Sequence, residues 1–175
     1  MYSEKFKNLI LYILESDHYE DGGIKKLNKI LYFIDFYFYR EHEKFISDVQ
    51  YAKAGMGPIV DNYKIIFQEL CDNGILEKDS LIGVVLHRPL IKADIKKFSS
   101  EEIDHIHHIL ERYGRLSSME LESISHEQQP WILTEKNGDI IDPDLALLIA
   151  NENGEEVEVK NKAIEKELIA LADKV

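Results

Sequence analysis

The chain has little cysteine, no long hydrophobic run and comparatively few basic residues. Its single cysteine, Cys71, cannot form an internal disulfide, which predicts a protein of a reducing compartment whose thiol acts as a small buried hydrophobe. No apolar run approaches the length of a bilayer-spanning helix, and the first residues have the mixed charge that signal peptides lack. We therefore expect a cytoplasmic protein that does not bind a membrane.

Acidic residues outnumber basic ones. The chain has 21 Lys and Arg residues against 33 Asp and Glu residues, which gives a formal net charge of −12. An acidic surface is repelled by the phosphate backbone, so the composition disfavours nucleic acid as a partner. A basic protein is the partner that this charge favours.

The sequence also lacks the motifs of common enzymes and metal sites. It has no nucleophile elbow, no phosphate-binding loop with its lysine and no His-Glu-x-x-His pattern. His105, His107 and His108 share a predicted helix, with only the isolated His126 and nearby glutamates to complete a zinc site. We interpret them as exposed imidazoles on a solvated face, and we expect no enzyme, cofactor or metal. An active site assembled from distant residues stays open.

The 175 residues, 45% of them hydrophobic, suit one domain with a sound core. Apolar periodicity and capping residues predict helices over 3–16, 24–40, 58–73, 100–113 and 118–126, a short one after Asp142-Pro143, and a last one over 163–174. We place a β-hairpin at 75–78 and 82–88, with Asp79-Ser80 as its turn and a further short strand at 90–91. The expected fold class is mainly α (α+β), a compact helical domain with a small antiparallel β-hairpin.

The second predicted helix is apolar on nearly every face, which is typical of the central helix of a core or of a helix that lends one face to a partner. Burial preferences favour the central helix. Asp35 is its unusual residue, because a carboxylate among aromatic residues must reach solvent or accept hydrogen bonds. Tyr51 and the backbone around Gly57 are the candidate donors.

Two blocks of residues resemble a known family. The first is Lys26-Leu-Asn-Lys-Ile-Leu-Tyr-Phe-Ile-Asp35, followed by Tyr51 and by Gly57-Pro58 at the start of the next predicted helix. The second is Tyr113-Gly114-x-Leu116-Ser117, then a short helix, Ser125-His126 and Pro130-Trp131. In order and spacing these blocks resemble the Panacea domain of SocA-like antitoxins, over most of residues 5–132.

The resemblance implies a protein that binds a cognate protein toxin and silences it, without turnover. It implies residues 1–132 as the Panacea domain. Residues 133–175 lie outside the resemblance, and we predict that they form a C-terminal helical extension that either packs on the domain or binds a partner. The positions that match the family pattern, as partner-binding or fold residues, are Tyr32, Asp35, Tyr51, Gly57, Pro58, His126 and Trp131.

Other functions stay open beside the antitoxin. One is a proteolytic adaptor or phage-associated interaction protein that delivers a target to a protease or its unfoldase. Another is a DNA-binding regulator, because the helices predicted at 100–113 and 118–126 resemble a helix-turn-helix. The second of these helices has no Arg or Lys to contact bases or phosphates, so we interpret the pair as a core hairpin.

Trp131 suits either a core position with its N–H bonded at the edge or a binding hot spot.

Overall fold

The computed structural model describes residues 2–20, 23–81 and 83–150, together with Ala170. Apart from Ala170, the last predicted helix lies outside the described residues. The elements are α1 (Glu4–Glu15), α2 (Gly23–His42), β1 (Tyr51–Ala52), β2 (Ile59–Val60), α3 (Tyr63–Asp72), β3 (Leu76–Leu81), β4 (Val84–Pro89), a 3-10 helix (Ile95–Lys97), α4 (Ser100–Tyr113), α5 (Ser118–His126), α6 (Gln129–Leu133) and a second 3-10 helix (Pro143–Leu148). This confirms the mainly α fold class.

Helix α2 is the central helix of the core. Helices α4 and α5, strands β2 and β4, and the second 3-10 helix all contact it. Apolar side chains are buried on every face of α2, as a fully surrounded helix requires. They are Leu27, Ile30, Leu31, Tyr32, Phe33, Ile34, Phe36 and Phe38.

Helices α4 and α5 begin where their capping residues predict. Ser99 and Ser117 each accept a hydrogen bond from the backbone N–H three residues later, and Glu102 and Glu120 bond back to the cap residues. Each capping box satisfies two N–H groups that a helix start would otherwise leave unpaired. These local signals mark the helix starts in the sequence.

The prediction that Pro58 opens a helix is wrong. Pro58 leads into β2, which pairs antiparallel with β1 in the register Tyr51–Val60 and Ala52–Ile59. The Val60 N–H also donates to the buried Asn28 side chain at 2.8 Å. Cross-strand pairing holds this segment extended, so α3 begins only at Tyr63. Proline suits a strand end as well as a helix start, because neither needs its missing N–H.

The predicted hairpin exists, but its turn is displaced. Asp79 and Ser80 lie within β3 and pair with Leu86 and Val85 of β4. The pairing continues to the end of β3, and Gly83 has a positive φ of 79°. A glycine with positive φ forms a tight hairpin turn more readily than Asp-Ser does. The predicted strand at 90–91 is absent from this described segment, which forms a bend.

Pro130 and Trp131 of the second family block lie inside α6, with the proline in its first turn. One further expectation needs correction. His105 is not an exposed imidazole: it is half-buried, its Nε2–H donates to the Ile34 carbonyl at 2.9 Å, and its ring meets Phe38 edge-on. The side chain thereby joins α4 to α2.

Residues 133–150 run along the domain. The Ile141 N–H donates to the Tyr51 carbonyl at 2.8 Å, and Lys53 exchanges backbone hydrogen bonds with Asp139 and Gly138. The second 3-10 helix starts at Pro143, capped by Asp142 as predicted, and Asp144 accepts from the Tyr39 hydroxyl at 2.5 Å. The division of the chain at 132 stays a prediction.

None of the helices in the described ranges has the length and apolar character to cross a membrane.

Candidate functional site

Asp35 ties α2 to the segment that leads into β1. Its carboxylate is fully buried and accepts hydrogen bonds from the backbone N–H groups of Ile46 (2.8 Å) and Ser47 (3.0 Å). The Ser47 hydroxyl and the Tyr51 hydroxyl (2.6 Å) donate to its other oxygen. Of the two predicted donors, Tyr51 does bond to Asp35, whereas the Gly57 N–H donates to the Ala54 carbonyl instead. Burial raises the Asp35 pKa to about 6, because its effect outweighs that of the four hydrogen bonds, which lower the pKa.

Tyr32 and Tyr51 are aromatic members of the same core region. Both are fully buried, and their rings meet edge-on with centroids 5.9 Å apart. The Tyr32 hydroxyl has no hydrogen-bond partner among the described residues. With Asp35, these side chains lie inside the protein, where they support the fold beneath the surface.

Gly57 and Pro58 press against a buried lysine of α2. Gly57 has φ +90°, and a Cβ there would lie 2.6 Å from both Lys29 Cε and Ser125 Oγ. The Lys29 ammonium donates to the Pro58 carbonyl at 3.0 Å, and the residue is only 3% exposed. Loss of hydration lowers the Lys29 pKa to about 8. Only glycine permits this close approach.

Trp131 fixes the same loop from the other side. Its indole N–H donates to the Ala54 carbonyl at 3.1 Å, and its ring stacks on His126 with centroids 3.9 Å apart. The Lys53 ammonium lies 4.2 Å from the Trp131 ring centroid and donates to the Thr134 carbonyl at 2.6 Å. The buried His126 Nε2 has no hydrogen-bond partner among the described residues, and burial lowers the His126 pKa.

Four exposed apolar side chains lie on this loop or on the elements next to it. Met56, at its tip, is 49% exposed, and Met119, on the first turn of α5, is 79% exposed. Ile132 follows Trp131 and is 37% exposed, and Ile140, which is paired with Ala52, is 43% exposed. We call residues 53–58 with Met119, Trp131, Ile132 and Ile140 the loop surface. Exposed apolar groups on neighbouring elements can form a protein-binding surface.

A cavity of about 120 Å³ opens beside the loop. Helix α2 lines one side with Ile24, Lys25, Asn28 and Lys29, the loop region lines another with Ala54, Met56 and Ile59, and Tyr63, Ser118 and Glu122 complete it. The Lys25 ammonium contacts the Met56 sulfur at 3.0 Å. The cavity therefore joins the buried lysine to the loop surface.

A larger cleft of about 580 Å³ separates the C-terminal half of α2 from α4. Its opposite charges lie close together: Arg40 pairs with Glu41 at 3.0 Å, and His42 Nε2 is 3.9 Å from the Glu101 carboxylate. Within the ranges that the structure describes, no three His, Cys, Asp or Glu side chains are arranged to hold a metal ion.

The predicted residues form two groups. Tyr32, Asp35 and Tyr51 meet in the core, whereas Gly57, Pro58, His126 and Trp131 meet at the loop, and this grouping was not visible in the sequence. Sequence reasoning missed Lys29, Lys53 and Met119. The sequence did contain a signal for Lys29, because a lysine in a helix that is apolar on every side must lose its hydration.

The structure defines a helical domain that presents a preformed loop surface. The family model described as antitoxin SocA-like, Panacea domain, matches residues 27–132, which is more than half of the chain. The chain therefore belongs to the SocA-like antitoxin, Panacea domain family, as its motifs indicated. No curated protein and no solved structure matches it.

Proposed function

We propose that this protein is an antitoxin that neutralises a cognate protein toxin by covering it with the loop surface. The observation that carries the proposal is the exposed apolar group of Met56, Met119, Ile132 and Ile140 around a loop held by hydrogen bonds. Membership of the antitoxin family supports a toxin as the partner.

The loop surface has the physical properties of a binding hot spot. Trp131 is partly exposed yet held by its indole N–H and by the His126 ring, so little side-chain freedom is lost on binding. Gly57 and Pro58 are fixed on Lys29 in the same way. A surface formed before the encounter binds more tightly than one that must be ordered.

Charge would act mainly on the rate of encounter. The net charge of −12 attracts a basic toxin and raises the association rate at low ionic strength. The apolar contacts then determine how long the complex lasts. Delivery of a target to a protease or its unfoldase stays a prediction from the family resemblance alone.

The test is co-expression with the product of the neighbouring gene. We expect that product to arrest growth alone, to be tolerated with this protein and to co-purify with it. Met119→Asp places a charge in the apolar surface and should weaken co-purification and restore growth arrest, without changing the thermal midpoint. Ile65→Asp is the matched control, because Ile65 is 61% exposed on α3, outside the loop surface.

Two results would contradict the proposal. The first is growth arrest that persists although both proteins accumulate. The second is a Met119→Asp variant that neutralises as well as the natural chain while Ile65→Asp does not, because the binding surface would then lie elsewhere.

A further inference from the structure

The buried Lys29 ammonium has no ion-pair partner among the described residues. The side chain is 3% exposed, and its ammonium has three N–H donors, one of which bonds to the Pro58 carbonyl at 3.0 Å. No carboxylate among the described residues forms an ion pair with it, and Glu122 acts on it only at longer range. A buried ammonium without a carboxylate partner is costly and is rarely kept without a reason.

Lys29 is one of the residues that line the cavity beside the loop, and this cavity has the size to hold such a partner. Its volume of about 120 Å³ is several times the roughly 30 Å³ that one water molecule occupies in the liquid, so it admits a short side chain. Ile24, Met56 and Ile59 give it apolar walls, and the hydroxyls of Tyr63 and Ser118 belong to residues that line it. Apolar walls with few polar groups are typical of a specific binding pocket.

We propose that this cavity is a carboxylate-binding site, into which the neutralised protein inserts an Asp or Glu side chain that pairs with the Lys29 ammonium. This inference rests on the proposed function, because the cavity adjoins the loop surface that would cover the toxin. A carboxylate seated there completes the hydrogen bonding of the ammonium and forms a charge-assisted contact shielded from water.

The remaining charges around Lys29 set the selectivity of the site. Lys25 on the same helix adds positive charge, whereas Glu122 on α5 opposes an incoming carboxylate, and His126 on α5 interacts with Lys29 electrostatically. The lowered Lys29 pKa, about 8, leaves the ammonium protonated at neutral pH and able to pair. A partner with a basic surface and one projecting acidic residue satisfies both the overall charge and this cavity.

Acetate is the probe for the site in the unaltered full chain. In a protein with carbon-13-labelled lysine, we expect the Lys29 Cε resonance to shift saturably with acetate and its titration to move to higher pH. Chloride at equal ionic strength should do neither. Glu122→Gln should tighten acetate binding several-fold by removing repulsion. A Lys29 resonance that does not respond, or responds equally to chloride, would overturn the carboxylate site.

The toxin complex supplies the second arm. Lys29→Met keeps the chain length and removes the charge, so the folded variant should bind the toxin about tenfold more weakly or worse. Lys64→Met, at an exposed lysine of α3, removes the same charge and should bind normally.

The two proposals fail in different ways. Unchanged toxin affinity in folded Lys29→Met would refute the carboxylate site and leave neutralisation standing. A natural chain that binds acetate at Lys29 but no toxin would refute neutralisation instead. If Lys29→Met does not fold, the acetate titration of the unaltered chain decides.

Discussion

At the scale of single residues, two buried charges organise the region below the loop surface. Asp35 collects two backbone N–H groups and two hydroxyls and so determines the path of the chain from Ile46 to Tyr51. Lys29 holds Pro58. Between them these two α2 side chains determine where β1 and the Gly57-Pro58 loop lie.

Asp35→Asn should change the pH dependence of stability. The Asp35 pKa in the fold, about 6, lies above the ordinary 3.8, so the folded protein binds this proton more tightly than the unfolded chain does. The free energy of unfolding of the natural chain, relative to Asp35→Asn, should therefore rise as pH falls from about 7 to about 4 and then stay level. The two pKa values correspond to a rise of about 3 kcal/mol.

Urea unfolding of both proteins across this pH range measures the effect. The Asn variant keeps a carbonyl oxygen for the backbone N–H groups of Ile46 and Ser47, so it should still fold. A natural chain that gains stability relative to Asp35→Asn as pH rises would contradict the raised pKa.

Gly57→Ala should destabilise the protein more than Gly138→Ala. Both glycines have positive φ, +90° and +96°, so alanine costs each about 1 kcal/mol of backbone strain. Only at Gly57 would the new Cβ also meet Lys29 and Ser125, at 2.6 Å, whereas nothing lies within 4 Å at Gly138. Overpacking there should add about 1–3 kcal/mol. Chemical unfolding measures the free energy of unfolding of both variants. Equal losses of stability would show that the loop moves to accommodate the new Cβ without cost.

At the scale of elements, local signals predicted more than long-range ones did. Ser99 and Ser117 fixed the starts of α4 and α5 because a capping box acts within four residues. Pro58 misled because the β1–β2 pairing that holds it extended joins residues that no local pattern relates. Asp79-Ser80 misled because Gly83 makes the turn. The same holds for the site. Motifs in the sequence indicated Gly57 and Trp131, but only the fold shows that Lys29 bonds to Pro58.

Ser117→Ala should loosen the start of α5. Loss of the cap costs about 1 kcal/mol of stability, and Ser99→Ala should cost a similar amount in α4. Only Ser117→Ala should also weaken toxin binding, because the first turns of α5 carry Met119 and the cavity wall residues Ser118 and Glu122. Calorimetry of folding and of binding separates the effects. Equal losses of toxin affinity in both variants would indicate a general consequence of lower stability.

At the scale of the whole molecule, one central helix connects fold and function. The inner faces of α2 hold the core, and its buried Lys29 supports the loop that faces outward. In the proposed function, the net acidic charge would bring a basic partner close and the apolar loop surface would retain it. We propose that the protein acts by occupying its target.

Titration of purified toxin activity with this protein tests that claim most directly. We expect toxin activity to fall linearly with added protein and to vanish at a fixed molar ratio, independent of incubation time. Met119→Asp should require a large excess to reach the same inhibition. Complete inactivation by a small fraction of one equivalent, progressing with time, would show turnover and contradict neutralisation by binding.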